Sequence, residues 1–255
     1  MKFSEAFYTR NKIVLPLEEI WHLYVQDTSK FTIQIAPYLM CPECNKVNLT
    51  FVNANPCYLR TLKNQKHDEN CSLQQTPASE RILTKYFEDT EHSDSIKRKL
   101  DAVLRIYIDK KMDPQPVYST ITSEDLSFVR QVKSGCSWQK YLPRKNIAFG
   151  VSDENLDQHK IFYGKVRLKW LDQSITQNWS QKYLNFFNSQ TREPICSLIM
   201  SDAVYKYVLK TIPYKGSTRL YLVSFFCMLT KKGRYLNGFI PHSNYISALP
   251  FDENA

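Results

Sequence analysis

Glycine is scarce in this chain, at 6 residues of 255. Collagen-like and low-complexity readings are excluded, and loops that cradle phosphates with backbone N–H groups have little material. There is no Gly-x-Gly-x-x-Gly, no glycine-rich turn ending in Gly-Lys-Ser/Thr, no Gly-x-Ser-x-Gly and no His-Glu-x-x-His. The commonest nucleotide-binding, serine-hydrolase and zinc-protease signatures are therefore missing. Long apolar runs are missing too. The longest candidate, residues 221–229, falls far short of the roughly 20 residues that a membrane-spanning helix needs. No membrane partner is expected. The first residues lack the basic-then-apolar-then-small order of a secretory signal, so a cytoplasmic protein is the expectation.

What remains is a globular composition. Hydrophobic residues make up 43%, aromatics 13% and charged residues 23%, which is too apolar for a disordered chain. The length suits one large domain or two modest ones. The net charge is +9, and it is unevenly spread. Residues 1–80 hold 8 basic and 8 acidic side chains, residues 81–160 hold 14 and 12, and residues 161–255 hold 12 and 5. The excess sits in the last third. A positive field confined to one region favours a polyanionic partner, most simply DNA or RNA.

Seven cysteines are present: Cys41, Cys44, Cys57, Cys71, Cys136, Cys196 and Cys227. An odd total in a chain without an export signal argues against a disulfide framework. The first four cluster, which points to a metal. Cys196 and Cys227 lie in apolar stretches and read as small buried hydrophobes. The cluster has the form Cys41-x2-Cys44, a spacer, then His67-x3-Cys71. Zn2+ takes four ligands in a tetrahedron, and thiolate and imidazole suit it. Two cysteines two residues apart can reach one ion from a tight turn. His67 and Cys71 can do so from a second turn. Cys57 is either an alternative to one member of the second pair or simply a buried cysteine. With four protein ligands the ion has no open position, so one structural Zn2+ per chain is expected. It would hold together a module with little core of its own.

Cys41-Pro42-Glu43-Cys44, then Tyr58-Leu59-Arg60, then His67-x3-Cys71 resemble the amino-terminal zinc-binding region of competence protein CoiA-like proteins, over about residues 38–110. Those proteins carry a Cys-Pro-x-Cys knuckle, an aromatic-x-Arg-like segment and a later His/Cys pair, followed by a helix with a His and then a Lys. Glu91, His92 and Lys97 stand where such a helix would fall. The resemblance implies a zinc finger near nucleic acid. The family's nuclease-like core needs an acid near one strand and acid-x-Lys on the next. This sequence shows no such pair.

Along the chain, three regions are expected: a zinc-binding β module over 1–75, a mainly helical region over 76–150, and a basic, β-rich domain over 151–255. Within the first, Ile13, Val14, Leu15 and Leu17 read either as a strand broken by Pro16 or as an apolar turn before a helix through Glu18, Glu19, Ile20 and Trp21. Phe31, Ile33 and Ile35 alternate with polar residues as in a strand, and Val47, Leu49 and Phe51 do the same. Tyr58–Arg60 reads as a further short strand. A helix is expected from Thr76 and Pro77 with Ile82, Leu83, Tyr86 and Phe87 on one face. A second, from Ser93 or Asp94, carries Ile96, Leu100, Val103, Leu104 and Tyr107. A third would open at Ser123 with Leu126, Val129 and Val132. From Ile161 onward, five or six strand-like windows suggest an antiparallel barrel or sandwich, with an OB-like barrel as one form. Residues 204–209 read as either strand or short helix. The fold class is thus α+β: a zinc-ribbon-like module, central helices and a mostly antiparallel β domain.

The last region carries the candidate nucleic-acid contacts. Lys165, Arg167 and Lys169 alternate with Val166, Leu168 and Trp170, which puts the bases on one face of a strand. Lys182 and Tyr183, then Lys206, Lys210, Lys215 and Arg219, continue a basic track interleaved with aromatics. Amines meet phosphates while bases stack on rings, the arrangement that holds single strands. The expected function is a non-catalytic, zinc-containing nucleic-acid-binding protein, with DNA favoured over RNA. One alternative is a protein-interaction adaptor or scaffold within a larger assembly. Another is a Mg-dependent nuclease using acids such as Asp94 and Asp101, two helical turns apart.

Overall fold

The computed structural model describes residues 2–251, apart from 63, 70, 76, 113–126, 132–136, 149, 172–180 and 214–218. It divides into two compact units. The first combines Met1–Pro77 with Arg105–Tyr141, and the second combines Ala78–Leu104 with Leu142–Ala255. Both units draw on the middle third of the sequence, where a separate helical region was expected. The chain is α+β, with helices beside many antiparallel strands.

In the first unit, β1 (Lys2–Phe3), β2 (Glu5–Tyr8) and β3 (Ile13–Pro16) lead into α1 (Leu17–Gln26). A single turn, α2 (Thr28–Lys30), follows, and Asp27 caps it by accepting the Lys30 N–H at 2.8 Å. The chain then stays helical. Phe31–Ile35 forms a π turn, not the expected strand. The burial explains the correction: Phe31 and Ile35, four residues apart, are buried, while Ile33 is 72% exposed. A period-two strand would have put all three on one side. Next come β4 (Leu39–Met40), β5 (Leu49–Val52) and β6 (Tyr58–Thr61). Two three-stranded sheets result, β1-β6-β5 and β3-β2-β4. Their core gathers Phe3, Leu15, Ile20, Phe31, Leu39, Val47, Leu49 and Leu59 around Cys41, Cys44 and Cys71. A hairpin of β7 (Ser127–Gln131) and β8 (Ser137–Tyr141) completes the unit. Over Ser127–Gln131 it replaces the helix expected to open at Ser123, because a partner strand just downstream decides the local conformation; residues 123–126 and Val132 lie outside the described residues.

In the second unit, α3 (Glu80–Glu88) begins three residues after Pro77, preceded by Ser79, and not at Pro77 itself. The α4 helix (Ser93–Met112), which belongs to this unit as far as Leu104, buries Ile96, Leu100, Val103 and Leu104 of the stripe read from the sequence; the Tyr107 side chain lies outside the described residues. Then come β9 (Arg144–Asn146), β10 (His159–Trp170), β11 (Gln181–Asn188) and β12 (Pro194–Ser201). The window at 204–209 is helical, within α5 (Asp202–Thr211). Ser201 caps it by accepting the Val204 N–H. The unit ends with β13 (Arg219–Lys232), β14 (Tyr235–Ile240) and β15 (Ile246–Pro250).

Five of these strands close a barrel. Its ring runs β10-β11-β12-β14-β13 and returns to β10. Four of the ring pairs are antiparallel, and β12–β14 is parallel. The α5 helix lies in the connection from β12 to β13. Alternate residues fill the barrel: Phe162, Val166, Leu168, Trp170, Leu184, Phe186, Leu198, Met200, Val223, Phe225, Leu229 and Ile240 are all buried. Phe225 meets Phe162 and Phe186 with ring centroids 5.4 and 5.0 Å apart. Cys196 and Cys227 are buried here too, with their thiols pushed up by burial.

One of the few glycines sits at the closing pair. Gly238 of β14 lies opposite Leu198 of β12 and Leu229 of β13. A Cβ there would meet Cys227 Sγ at 2.6 Å and Leu229 Cδ2 at 2.9 Å. Gly238→Ala should therefore destabilise the protein by about 1–3 kcal/mol through overpacking. Urea denaturation measures the loss, and Cys227→Ala, which removes the nearest atom, should reduce it. An unchanged midpoint for Gly238→Ala would rule out tight packing at this closure.

Candidate metal centre and barrel face

The Cys41-Pro-Glu-Cys44 turn is built by backbone hydrogen bonds. The Cys41 N–H donates to Val47 O at 2.7 Å, and Asn45 N–H donates to Cys41 O at 3.2 Å. Asn45 takes a left-handed φ of 52°, which Asn tolerates better than most residues. The second half closes in the same way, with Cys71 N–H donating to Asp68 O at 2.9 Å. Lys46 and Asp68 form an ion pair across the two halves. His67 stacks on Phe3, with centroids 5.7 Å apart.

These turns bring four ligand atoms together. One each from Cys41, Cys44, His67 and Cys71 lie within 4.8 Å of one another. Cys41 Sγ is 3.8 Å from Cys71 Sγ, and His67 Nδ1 is 3.5 Å from Cys44 Sγ and 3.3 Å from Cys71 Sγ. A tetrahedral ion with Zn–S near 2.3 Å and Zn–N near 2.05 Å needs edges of about 3.8 and 3.5 Å. The donor set and its spacing can hold a metal ion such as zinc. Cys57 is not in the group, so the second pair is His67 and Cys71.

The thiols share charge unequally. Hydrogen bonds, from Cys41 first and then from Cys71 and His67, hold the Cys44 thiol far below its ordinary range. Burial pushes Cys41 up to about 12. Cys71 is raised chiefly by its hydrogen bond with Cys41. A bound dication favours the deprotonated form of all three.

The barrel places the basic candidates as follows. On β10, Val166, Leu168 and Trp170 face inward, and Lys165, Arg167 and Lys169 face outward. Lys165 Nζ lies 4.0 Å from the centre of the Phe251 ring, and Arg167 Nε donates to Ser189 O at 3.1 Å. Lys169 is exposed. Lys182 is largely covered and pairs with Asp202 at 3.3 Å. Lys206 and Lys210 are exposed on α5, where Lys210 Nζ is 5.1 Å from the Tyr207 ring centre. Arg219 opens β13 and is exposed at the barrel end. Lys215 lies outside the described residues.

Two sides of the barrel differ. Helices cover the β10–β13 side: Ser224 Oγ donates to Leu100 O at 2.9 Å, and Phe226 meets Phe87 with centroids 5.7 Å apart. On the β11-β12-β14 side, outward residues align in rows. Lys169, Asn185, Ser197 and Asn237 form one row, and Tyr183, Ile199 and Phe239 form the next. Ser197 Oγ donates to Asn185 Oδ1 at 2.7 Å within the first. Phe239 is 50% exposed and Tyr235, two rows away on β14, is 53% exposed. Sequence reasoning had singled out Tyr183 but not Ile199, Tyr235, Asn237 or Phe239. The alternation over 235–240 was the available signal. Their place beside Tyr183 depends on the parallel β12–β14 pair, which no local pattern announces.

The nuclease candidates are engaged in hydrogen bonds. Asp94 accepts from Asn244 at 2.8 Å. Asp101 accepts from Ser247 at 2.5 Å and pairs with Lys97 at 3.3 Å. Among the described residues, the Cys/His group is the one cluster with converging ligand atoms. No helix among them is long and apolar enough to cross a membrane.

No family model, curated protein or solved structure matches the chain.

The separation of Cys57 from the cluster sets a test. Cys44→Ser should abolish stoichiometric metal uptake, whereas Cys57→Ser should leave it intact, with metal content read by mass spectrometry of the purified chain. Loss of metal in Cys57→Ser alone would reassign the ligands.

Proposed function

We propose that this chain is a non-catalytic, zinc-containing nucleic-acid-binding protein. The observation that carries it is the open side of the barrel, where the basic Lys169 shares a surface with Tyr183, Tyr235 and Phe239. We read the barrel as OB-like. Five ring strands, a parallel pair between the third and fifth of them, and a helix between the third and fourth support this. In OB-folds the face of the second and third strands binds oligonucleotides. Those strands here are β11 and β12. Exposed rings offer stacking platforms, and Arg167 and Lys169 supply amines and guanidinium for phosphates. Single strands suit such a face better than duplexes.

We read that region as a zinc-ribbon-like module holding one structural Zn2+. Its four protein ligands leave no open position, and the β5–β6 hairpin spans the gap between the ligand pairs.

A protein partner is the second reading. Ile199 and Phe239 give the same face apolar area of the kind protein interfaces use. Salt dependence separates the two. Nucleic-acid affinity should fall steeply with salt, because phosphate contacts release counterions. Removing charge at Arg167 and Lys169 together should lower the salt slope by about one unit per lost contact. Phe239→Ala should cost about 1–3 kcal/mol at every salt concentration. Fluorescence anisotropy with single-stranded and duplex oligonucleotides reads both effects. If folded Arg167→Gln/Lys169→Gln and Phe239→Ala both bind as the parent does, this face is not the contact surface.

A further inference from the structure

We infer that Glu43 is a positioning residue for the metal: its buried carboxylate locks the two ligand pairs together. The inference rests on the metal reading above. Glu43 lies between Cys41 and Cys44, yet it is 0% exposed, an unusual place for an acid. Its carboxylate accepts the Ser72 backbone N–H at one oxygen and the Ser72 Oγ–H, at 2.8 Å, at the other. Ser72 directly follows Cys71 and is itself buried. The carboxylate therefore bridges the Cys41–Cys44 turn to the segment bearing His67 and Cys71 from the buried side, whereas the Lys46–Asp68 ion pair spans them nearer the surface.

A carboxylate out of water is tolerated only when charged hydrogen bonds satisfy it. Here both bonds come from one residue next to a ligand. Breaking the turn away from the second pair would strip the buried carboxylate of these two donors. The cost of that separation falls on any motion that opens the site. Partners outside the ligand shell orient ligands in this way, and losing one typically costs 10–100-fold in metal affinity.

Shape and charge can be told apart. In Glu43→Gln the amide oxygen can accept the Ser72 N–H while the amide nitrogen donates to Ser72 Oγ, since a hydroxyl can accept as well as donate. The bridge survives without the charge. In Glu43→Ala it is lost.

The test uses the full chain loaded with Zn2+ and measures release to excess chelator. Glu43→Ala should release Zn2+ about 10–100-fold faster than the parent, and Glu43→Gln should stay near the parent rate. With Co2+ in place of Zn2+, the d–d absorption of Glu43→Ala should change, while that of Glu43→Gln should match the parent. Parent-like release and spectrum in Glu43→Ala overturn the inference, and so does Glu43→Gln releasing as fast as Glu43→Ala. If Glu43→Ala does not fold, Ser72→Ala decides: faster release supports the bridge and a parent-like rate overturns it. A parent chain that takes up no Zn2+ instead sinks the metal reading itself.

Discussion

A single long strand makes the barrel possible. β13 runs from Arg219 to Lys232 and has more backbone than any one neighbour can pair. Along one edge it meets β10 from Arg219 to Met228. Along the other it meets β15 first, over Tyr221–Phe225, and then β14, over Leu229–Lys232. The change of partner is what a twisted, coiled strand allows. It lets β14 leave β13 and reach β12, and that parallel pair closes the ring. Closure removes edges that would otherwise offer unpaired N–H and C=O groups to other chains. Gly238 stands at the point where three strands crowd together, and only the smallest residue fits between Cys227 and Leu229 there.

The closed ring then needs only one layer of covering. β13 is buried on both faces over residues 220–227, so it reads as an apolar run and not as an alternation. Its inner residues fill the barrel, and its outer ones meet α3 and α4. β11 and β12 alternate instead, with Leu184, Phe186, Cys196, Leu198 and Met200 inward. Their outward residues Tyr183, Asn185, Ser197 and Ile199 are only half-buried. The difference in covering, not the net charge alone, separates the packed side from the side we propose as the contact surface. In the other unit the same economy is reached by different means. The core around Cys41, Cys44 and Cys71 is apolar, and within it lies a Cys/His group able to hold a metal ion, which on the proposed reading would cross-link the unit.

Much of this was legible in the sequence, for reasons that differ by element. The Cys/His cluster was readable because its chemistry is rare and its spacing is local within each pair. The strands from residue 161 onward were readable because alternation, or in β13 a short apolar run, is a local property. The misreadings share a cause. Phe31–Ile35 alternates perfectly as text, but Asp27 starts a helical turn just before it and the chain continues that turn. Residues 127–131 hold too few apolar positions to settle a period, so a neighbouring strand settles it. Glu43 was unreadable as a buried group. Nothing local marks an acid in a turn as buried when its partner, Ser72, lies 29 positions away. The exposed rings of β14 were likewise hidden by a parallel pairing between strands that are not consecutive.

The assignment of the basic side turns on strand phase, since a slip by one residue would exchange the two faces of β10. Several contacts hold that phase independently. Trp170 Nε1 donates to Ile212 O at 2.8 Å, and the Trp170 ring meets Tyr205 edge-on, with centroids 4.8 Å apart. At the other end, Phe162 stacks on Phe225 inside the barrel. A one-residue slip would lose both anchors and push Lys165, Arg167 and Lys169 into a space filled by Leu184, Phe186 and Phe225. Burying three unpaired cations costs far more than any gain in pairing could return. The outward direction of these bases is therefore a consequence of how the barrel is filled. Apolar packing and the placement of positive charge are one constraint seen from its two sides.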